Sequence, residues 1–428
     1  MAYCRLTIKI KGNPILTNTD TPRFFYGYAI IAAGFFIQVI AWGICNSFGI
    51  FFEPLINEFA WSRATISGAA SLCFLVHGTS SIFMGNLNDR FGPRLIMSGC
   101  GFFLGLGFLL MTQIHSAWQL YLFYGLFAGI GLGGMDVIPL STVTRWFHRK
   151  RGLMSGIIKV GTGVGMFAMP FFITWMLNQY GWRTSFAVLS VIMFVFIICL
   201  AQFLVRNPIQ KHQSIDNGKS SGSETQKIAE KGLSFKEAIR TRQLWTLCAI
   251  YFIILFCVYT ILMHIVQHAI DLGIPVAKAA GILAMIGGIS ISGRFLMGGA
   301  GDRIGEKTAL FICLLFLLTA LGWLQAVSKL WMFYVFAILY GFAHGGFFSL
   351  VSPLVARLFG TISHGLLFGI VIFSSTIGGA IGPFMAGYIF DQTHSYKIVF
   401  LILAIFCSIA LALTVSLPSS FVKVPPIE

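Results

Sequence analysis

Long apolar stretches, separated by short polar or basic connections, run almost the full length of the chain. They fall at about 25–52, 63–87, 94–113, 117–146, 152–177 and 183–205, then at about 243–270, 276–300, 308–328, 331–357, 364–390 and 396–418. A helix that crosses a bilayer needs about 20 apolar residues, and each stretch meets that length. The pattern predicts two sets of six membrane helices, at residues 25–206 and 243–418. Between them, residues 207–242 are rich in Lys, Ser, Gly and Gln and read as a flexible cytoplasmic linker. Residues 1–24 lack the long apolar core and small-residue cleavage site of a signal peptide and read, like residues 419–428, as a cytoplasmic tail.

Composition supports the pattern. Of 428 residues, 57% are hydrophobic and 10% are charged, whereas charged residues make up about a quarter of a soluble domain. A secreted, fibrous, disordered or nucleic-acid-binding protein is excluded on that ground. The 47 glycines suit helices packed closely against one another in lipid. The net charge of +15 would invite a nucleic-acid partner were it not sorted by topology. One set of connections holds Arg63, Arg183, Lys278, Lys329 and Lys397, while the tail, linker and other loops carry most of the rest. That bias predicts both termini on the cytoplasmic side of the cell (inner) membrane. The nine cysteines are scattered, almost all within apolar runs, and read as small buried hydrophobes rather than a disulfide framework or metal site. Two basic residues, Lys159 and Arg294, belong to neither set of loops, because they lie inside apolar helices.

The two sets of helices repeat one another. The same spacing separates Asp89 from Asp302, Trp118 from Trp331, Gly152 from Gly365, Gly156 from Gly369, Gly165 from Gly378 and Pro170 from Pro383. One spacing shared by so many separated positions predicts an all-α membrane protein of 12 transmembrane helices in two pseudo-symmetric six-helix bundles.

The loop after the second helix reads G-x-x-x-D-R-x-G (Gly85, Asp89, Arg90, Gly92), and the loop after the eighth repeats it (Gly298, Asp302, Arg303, Gly305). This resembles the gating motif of the major facilitator superfamily. Glycine there permits close helix approach, and Asp and Arg can pair and cap neighbouring helix ends. Within that superfamily the chain is similar to the monocarboxylate porters and oxalate/formate antiporters over nearly its full length. The carriers are Tyr26-Gly27-Tyr28, the run from Arg149 to Gly156, Gly161 to Gly165, His264 to Gly273, and Gly287 to Arg294. The resemblance implies the major facilitator fold, a small organic anion as substrate, no cofactor and no enzymatic activity, with Arg294 as the carboxylate ligand. Three departures stand out. Asn46 occupies the position of a first-helix lysine in the animal porters, Ser290 that of an aspartate, and residues 364–390 lack the second cation used in oxalate exchange.

An arginine in an apolar helix costs several kcal/mol unless it faces a wet cavity or a partner, and its planar fork matches a carboxylate. One such cation favours a monocarboxylate such as lactate or pyruvate. Asp136 and Lys159 lie at similar depth on neighbouring helices. They form either a constitutive pair or one that substrate or proton competes for, and Lys159 could also serve as a second cation for a dicarboxylate. His264, His268 and Asp271 share a helix face. Proton coupling through Asp271 and His264, or through Asp136, stands beside plain structural hydrogen bonding and the less supported option of a metal site. Tyr121, Tyr124 and Tyr340 could orient a carboxylate with Ser290, Asn46 and His344, or simply pack; Tyr334 shares that ambiguity.

The chain is thus expected to be a proton-coupled monocarboxylate symporter of the alternating-access kind, working as a monomer in the lipid bilayer with a small carboxylate and protons as partners. Organic-anion exchange of the oxalate/formate type, or a non-transporting sensor on the same fold, are the alternatives.

Overall fold

A computed structural model describes residues 26–147, 150–205 and 232–418. The expected tails and most of the expected linker lie outside the described residues. Among those described, eleven continuous helical stretches are long and apolar enough to cross a membrane. One of them turns back on itself, so twelve helices result.

The first six are α1 (Tyr26–Asn46), α2 (Arg63–Phe91), α3 (Pro93–Met111), α4 (Ala117–Trp146), α5 (residues 151–180) and α6 (residues 182–201). The second six are α7 (Arg242–Asp271), α8 (Val276–Ile304), α9 (Glu306–Leu324), α10 (Leu330–Phe359), α11 (His364–Thr393) and α12 (Lys397–Ser416). The turn between α5 and α6 is made at Gly181, whose φ of 76° is open to glycine and strained for other residues. Gly92 and Gly305, closing α2 and α8, share φ values of 86° and 90°. The gating motif therefore ends on glycine in both halves for the same backbone reason.

The apolar run expected over residues 25–52 stops as a membrane helix at Asn46. Asn46 and Ser47 turn their side chains back to the carbonyls of Trp42 and Gly43, competing with the ladder as short polar side chains do. A 3₁₀ turn (Phe48–Phe51) and a short helix (Phe52–Phe59) follow. The end of the expected linker is also structured. Ser234 and Glu237 cap each other's backbone at the start of Phe235–Ala238, and Thr241 caps α7.

Each half has its own apolar core. Ile37, Phe108, Phe186 and Ile197 lie in the first, and Phe256, Phe333, Tyr340 and Phe400 in the second. The halves meet along two seams, α5 on α8 and α2 on α11. A Cβ on Gly152 would lie 2.2 Å from the carbonyl oxygen of Gly298, and one on Gly85 would lie 2.1 Å from that of Gly365. Only glycine lets these backbones touch. Further along α8 the crowding ends, since Gly287, Gly288 and Gly281 meet nothing within 4 Å. The molecule is therefore sealed by backbone contacts at the end that carries the gating motifs.

The seal is polar as well as steric. Asp89 accepts from the amides of Gly365 (3.2 Å) and Leu366 (3.1 Å) at the start of α11, and Asp302 accepts from those of Gly152 (2.7 Å) and Leu153 (2.8 Å) at the start of α5. Each carboxylate caps a helix N-terminus of the opposite half, where the helix dipole favours negative charge. The arginine that meets Asp89 is Arg145 of α4, rather than the motif's own Arg90. In the second half Arg357 pairs with Glu306 at 2.5 Å. The sequence anticipated the capping; it assigned the pairing to the wrong arginine.

Candidate functional site

Above the seal lies a cavity of about 90 Å³, room for about three waters or a few heavy atoms. Both halves line it. Trp42 and Asn46 come from α1, Phe74 and His77 from α2, Asp136 from α4, and Lys159 and Thr162 from α5. Opposite them stand Tyr259 of α7, Arg294 of α8, His344 and Phe348 of α10, and Ser375 of α11. The repeat spacing relates Asn46 to Tyr259 and Thr162 to Ser375. The cavity therefore sits where the two bundles mirror each other, as expected of a site between repeats.

Arg294 is 2% exposed. Its Nε and Nη1 have no hydrogen-bond partner among the described residues. The guanidinium lies against α5, where a Cβ on Gly163 would come within 2.5 Å of Nη1. Across the cavity the other cation is fully engaged. Lys159 Nζ lies 2.5 Å from Asp136 Oδ1 and 3.4 Å from Gln38 Oε1. Asp136 Oδ1 also accepts from Gln38 Nε2 at 3.0 Å and Trp42 Nε1 at 3.1 Å, while Thr162 donates to Gln38 Oε1 at 2.6 Å. The ammonium further faces the rings of Phe348 (5.6 Å) and Trp42 (5.8 Å). One buried cation is neutralised in place, and the other is open to an anion.

The structure brings together Arg294, Asn46, Lys159, Asp136 and His344 from the sequence expectations. It places others elsewhere. Tyr124 donates to the Cys45 carbonyl (3.3 Å), Tyr340 to the Val258 carbonyl (2.8 Å) and Ser290 to the Gly287 carbonyl (2.7 Å). Tyr121 packs against Gly68 of α2. These four are not among the cavity-lining residues. Their hydroxyls serve backbone carbonyls or helix contacts, which one-dimensional spacing does not distinguish from a cavity.

His264 and Asp271 also lie outside the cavity, toward the far end of α7. Burial, with Asp271 and Asp391 nearby, pushes the Tyr396 hydroxyl above its usual range, so it stays protonated. It can donate to His264 Nδ1 at 3.1 Å while Nε2 donates to the Pro383 carbonyl at 3.0 Å. Both nitrogens of a neutral imidazole are then satisfied. His268 is surrounded by the rings of Phe333, Tyr396 and Phe400, and Asp271 accepts from Gln267 at 2.9 Å. The face predicted from spacing exists, but no hydrogen bond joins its three polar members to one another. Among the described residues no group of three His, Cys, Asp or Glu side chains is arranged to hold a metal.

Sequence reasoning passed over Gln38, Trp42, His77 and Thr162. The signal was present for two of them, since Gln38 and His77 are polar residues inside apolar runs, as Lys159 is.

Known proteins agree with this architecture. Over residues 31–324 and 290–427 the chain matches the family model of the Major Facilitator Superfamily. It is 26% identical over 407 residues to monocarboxylate transporter 13 of Rattus norvegicus, covering 94% of this chain and 91% of the relative. It is 28% identical over 410 residues to the oxalate:formate antiporter of Oxalobacter formigenes, covering 91% and 90%. Among solved structures, the Escherichia coli fucose:proton symporter superposes with a TM-score of 0.70 at 14% identity, covering 92% of this chain and 100% of that one. The human organic anion transporter MFSD10 does so at 0.66 and 15%, covering 91% and 99%. These two likenesses concern the fold alone. With a matching family model over most of its length and two mirrored six-helix bundles around a central cavity, this multi-pass membrane protein belongs to the major facilitator superfamily of transporters.

Proposed function

We propose that the protein is a secondary active transporter of small organic anions, and specifically a proton-coupled monocarboxylate symporter. The observation that carries this reading is Arg294, a buried guanidinium with two unpartnered nitrogens on a residue that lines a small cavity between the halves. A carboxylate would meet it through paired N–H···O bonds, the geometry that arginine offers and lysine does not. The two halves would then rock about the site, exchanging the seal at the motif end for one at the far end. With the gating loops cytoplasmic, the sealed motif end makes this the outward-facing arrangement. Both termini would then be cytoplasmic in the cell membrane, and the single chain, which supplies every lining residue, would work as a monomer.

Asp136 is the proposed proton carrier. It is the acidic group in the cavity lining, and protonating it would free Lys159 to compensate substrate charge. A proton and one anion together add no net charge to the cavity, which lowers the cost of reorientation.

Uptake of radiolabelled lactate and pyruvate into proteoliposomes, with and without an inward proton gradient, tests the reading. Gradient-dependent uptake is expected, and Arg294→Lys should reduce it by about a hundredfold, the scale of a lost buried charge contact. Uptake that is absent for every short monocarboxylate, or unchanged in Arg294→Lys, would remove the proposal. One observation favours a second reading: Lys159 lines the same cavity as Arg294 and could meet the other end of a dianion. Exchange of that kind would appear as uptake requiring internal anion and indifferent to the gradient.

A further inference from the structure

Among the described residues, nine buried side-chain nitrogen or oxygen atoms have no hydrogen-bond partner. Five of the nine belong to residues lining the central cavity: Nε and Nη1 of Arg294, Nδ1 of His344, and both ring nitrogens of His77. Buried polar groups are almost always partnered, so a cluster of exceptions around one cavity marks atoms kept for something that enters it. Arg294 is already assigned to a carboxylate. His77 has no assignment.

His77 projects from α2 of the first half and is 3% exposed. Its ring stands edge-on to Trp42, centroids 5.3 Å apart, and lies 5.7 Å from Phe74. Those rings hold the imidazole in place without occupying either nitrogen. The repeat sharpens its position. The spacing between the halves carries His77 onto Ser290, which spends its hydroxyl on its own helix, so the second half has no imidazole at the matching position. Arg294, in turn, is the counterpart of Ser81, which bonds the Gly369 carbonyl. His77 therefore stands on the half opposite Arg294 and His344, and one small molecule that met both His77 and Arg294 would span the plane between the bundles.

A neutral imidazole offers one donor and one acceptor. That pair matches a hydroxyl, and its donor alone matches an oxo group. A second carboxylate fits less well, because the nearest cation on that side, Lys159, is already neutralised by Asp136. The rings of Trp42, Phe74, Tyr259 and Phe348 close the remaining wall to further charge.

We propose that His77 is a specificity-determining substrate ligand, hydrogen-bonding a hydroxyl or oxo group on the same short acid whose carboxylate meets Arg294. This rests on the carboxylate reading of Arg294. It adds that plain alkanoates are poor substrates, because they leave the His77 nitrogens without a partner.

Calorimetric binding to the full-length protein in nanodiscs, with propionate, lactate and pyruvate as probes, tests it. The unmodified protein should bind lactate and pyruvate about tenfold or more tightly than propionate, the usual scale of one buried hydrogen bond gained or lost. In His77→Phe, which keeps a ring against Trp42, propionate should bind at least as tightly as it does to the unmodified protein and the preference should vanish. Propionate binding thereby reports that the variant is folded. If His77→Phe does not fold, His77→Gln, which retains a donor and an acceptor, should keep part of the preference while His77→Leu loses it. A preference that survives in the folded variants, or that the unmodified protein lacks while still binding all three acids, overturns the role of His77 and leaves Arg294 standing. Binding of none of the acids overturns both.

Discussion

The two halves share a backbone plan and differ in how each holds a buried cation. In the first half Lys159 is matched by Asp136, braced by Gln38 and flanked by aromatic rings. In the second, Arg294 has two nitrogens without a protein partner. The repeat makes the contrast sharper, because Lys159 corresponds to Ile372 and Arg294 to Ser81. Neither charge has a charged counterpart in the other half, so the two cations occupy different positions of the repeat. A paired charge is tolerated at little cost once its partner is present, whereas an unpaired one is tolerated only where water or ligand reaches it. The asymmetry therefore contrasts a cation whose charge is met by the protein with one whose charge is not.

The largest expected effect tests that division through stability, with opposite signs for the two cations. Lys159→Met would leave Asp136 as an uncompensated buried carboxylate and should lower stability by about 3–5 kcal/mol. Pairing it with Asp136→Asn should recover much of that loss. Arg294→Met removes a charge with no partner to strand and should instead raise stability by about 1–3 kcal/mol, while abolishing anion binding. Thermal unfolding of the purified variants in one detergent gives the comparison directly. A destabilised Arg294→Met, or an unaffected Lys159→Met, would erase the distinction.

A smaller effect is expected at the two gates. Asp89 caps α11 and also meets Arg145, whereas Asp302 caps α5 and the nearby Arg357 pairs with Glu306. Asp89→Asn should therefore loosen the seal more than Asp302→Asn does. The amides of Gly365 and Leu366 should exchange hydrogen about tenfold faster in the first variant, with a lesser change at Gly152 and Leu153 in the second, since a charge-assisted bond is worth roughly 1.5–3 kcal/mol. Equal changes at both gates would mean that Arg145 contributes nothing to closure.

Much of this was legible in the chain because the membrane imposes strong rules. Apolar runs, loop charges and one constant repeat spacing give the helices, the halves and the gating loops. Arg294, Lys159 and Asp136 stood out because charge inside a membrane helix is rare enough to demand a reason. Gln38 and His77 drew no notice, although a neutral polar side chain in such a helix makes the same demand more quietly. The pairing of Asp89 with Arg145 was illegible for a different reason. Arg90 is adjacent in sequence, but rotation about the helix axis directs neighbouring residues to different sides. Proximity along the chain was the wrong guide there, and it failed again for His264 and Asp271, which share a face yet take different partners, Tyr396 and Pro383 for the histidine and Gln267 of its own helix for the aspartate.

The tyrosines carry the smallest expected effect and return to the same contrast. Spacing left Tyr124 and Tyr340 either to orient a carboxylate or simply to pack, and each hydroxyl bonds a carbonyl within its own half, on Cys45 and Val258. If those bonds are their whole role, Tyr124→Phe and Tyr340→Phe should each lower stability by about 1 kcal/mol and leave the affinity for a short acid unchanged. The phenylalanine ring retains the stacking on Phe48 in the first case and on Phe336 in the second, so the hydroxyl alone is removed. Calorimetric titration beside thermal unfolding separates the outcomes. Lost affinity with unchanged stability would bring a tyrosine into the cavity in some other arrangement of the two halves, and would show that Arg294 and His77 do not complete the set of polar contacts to the substrate.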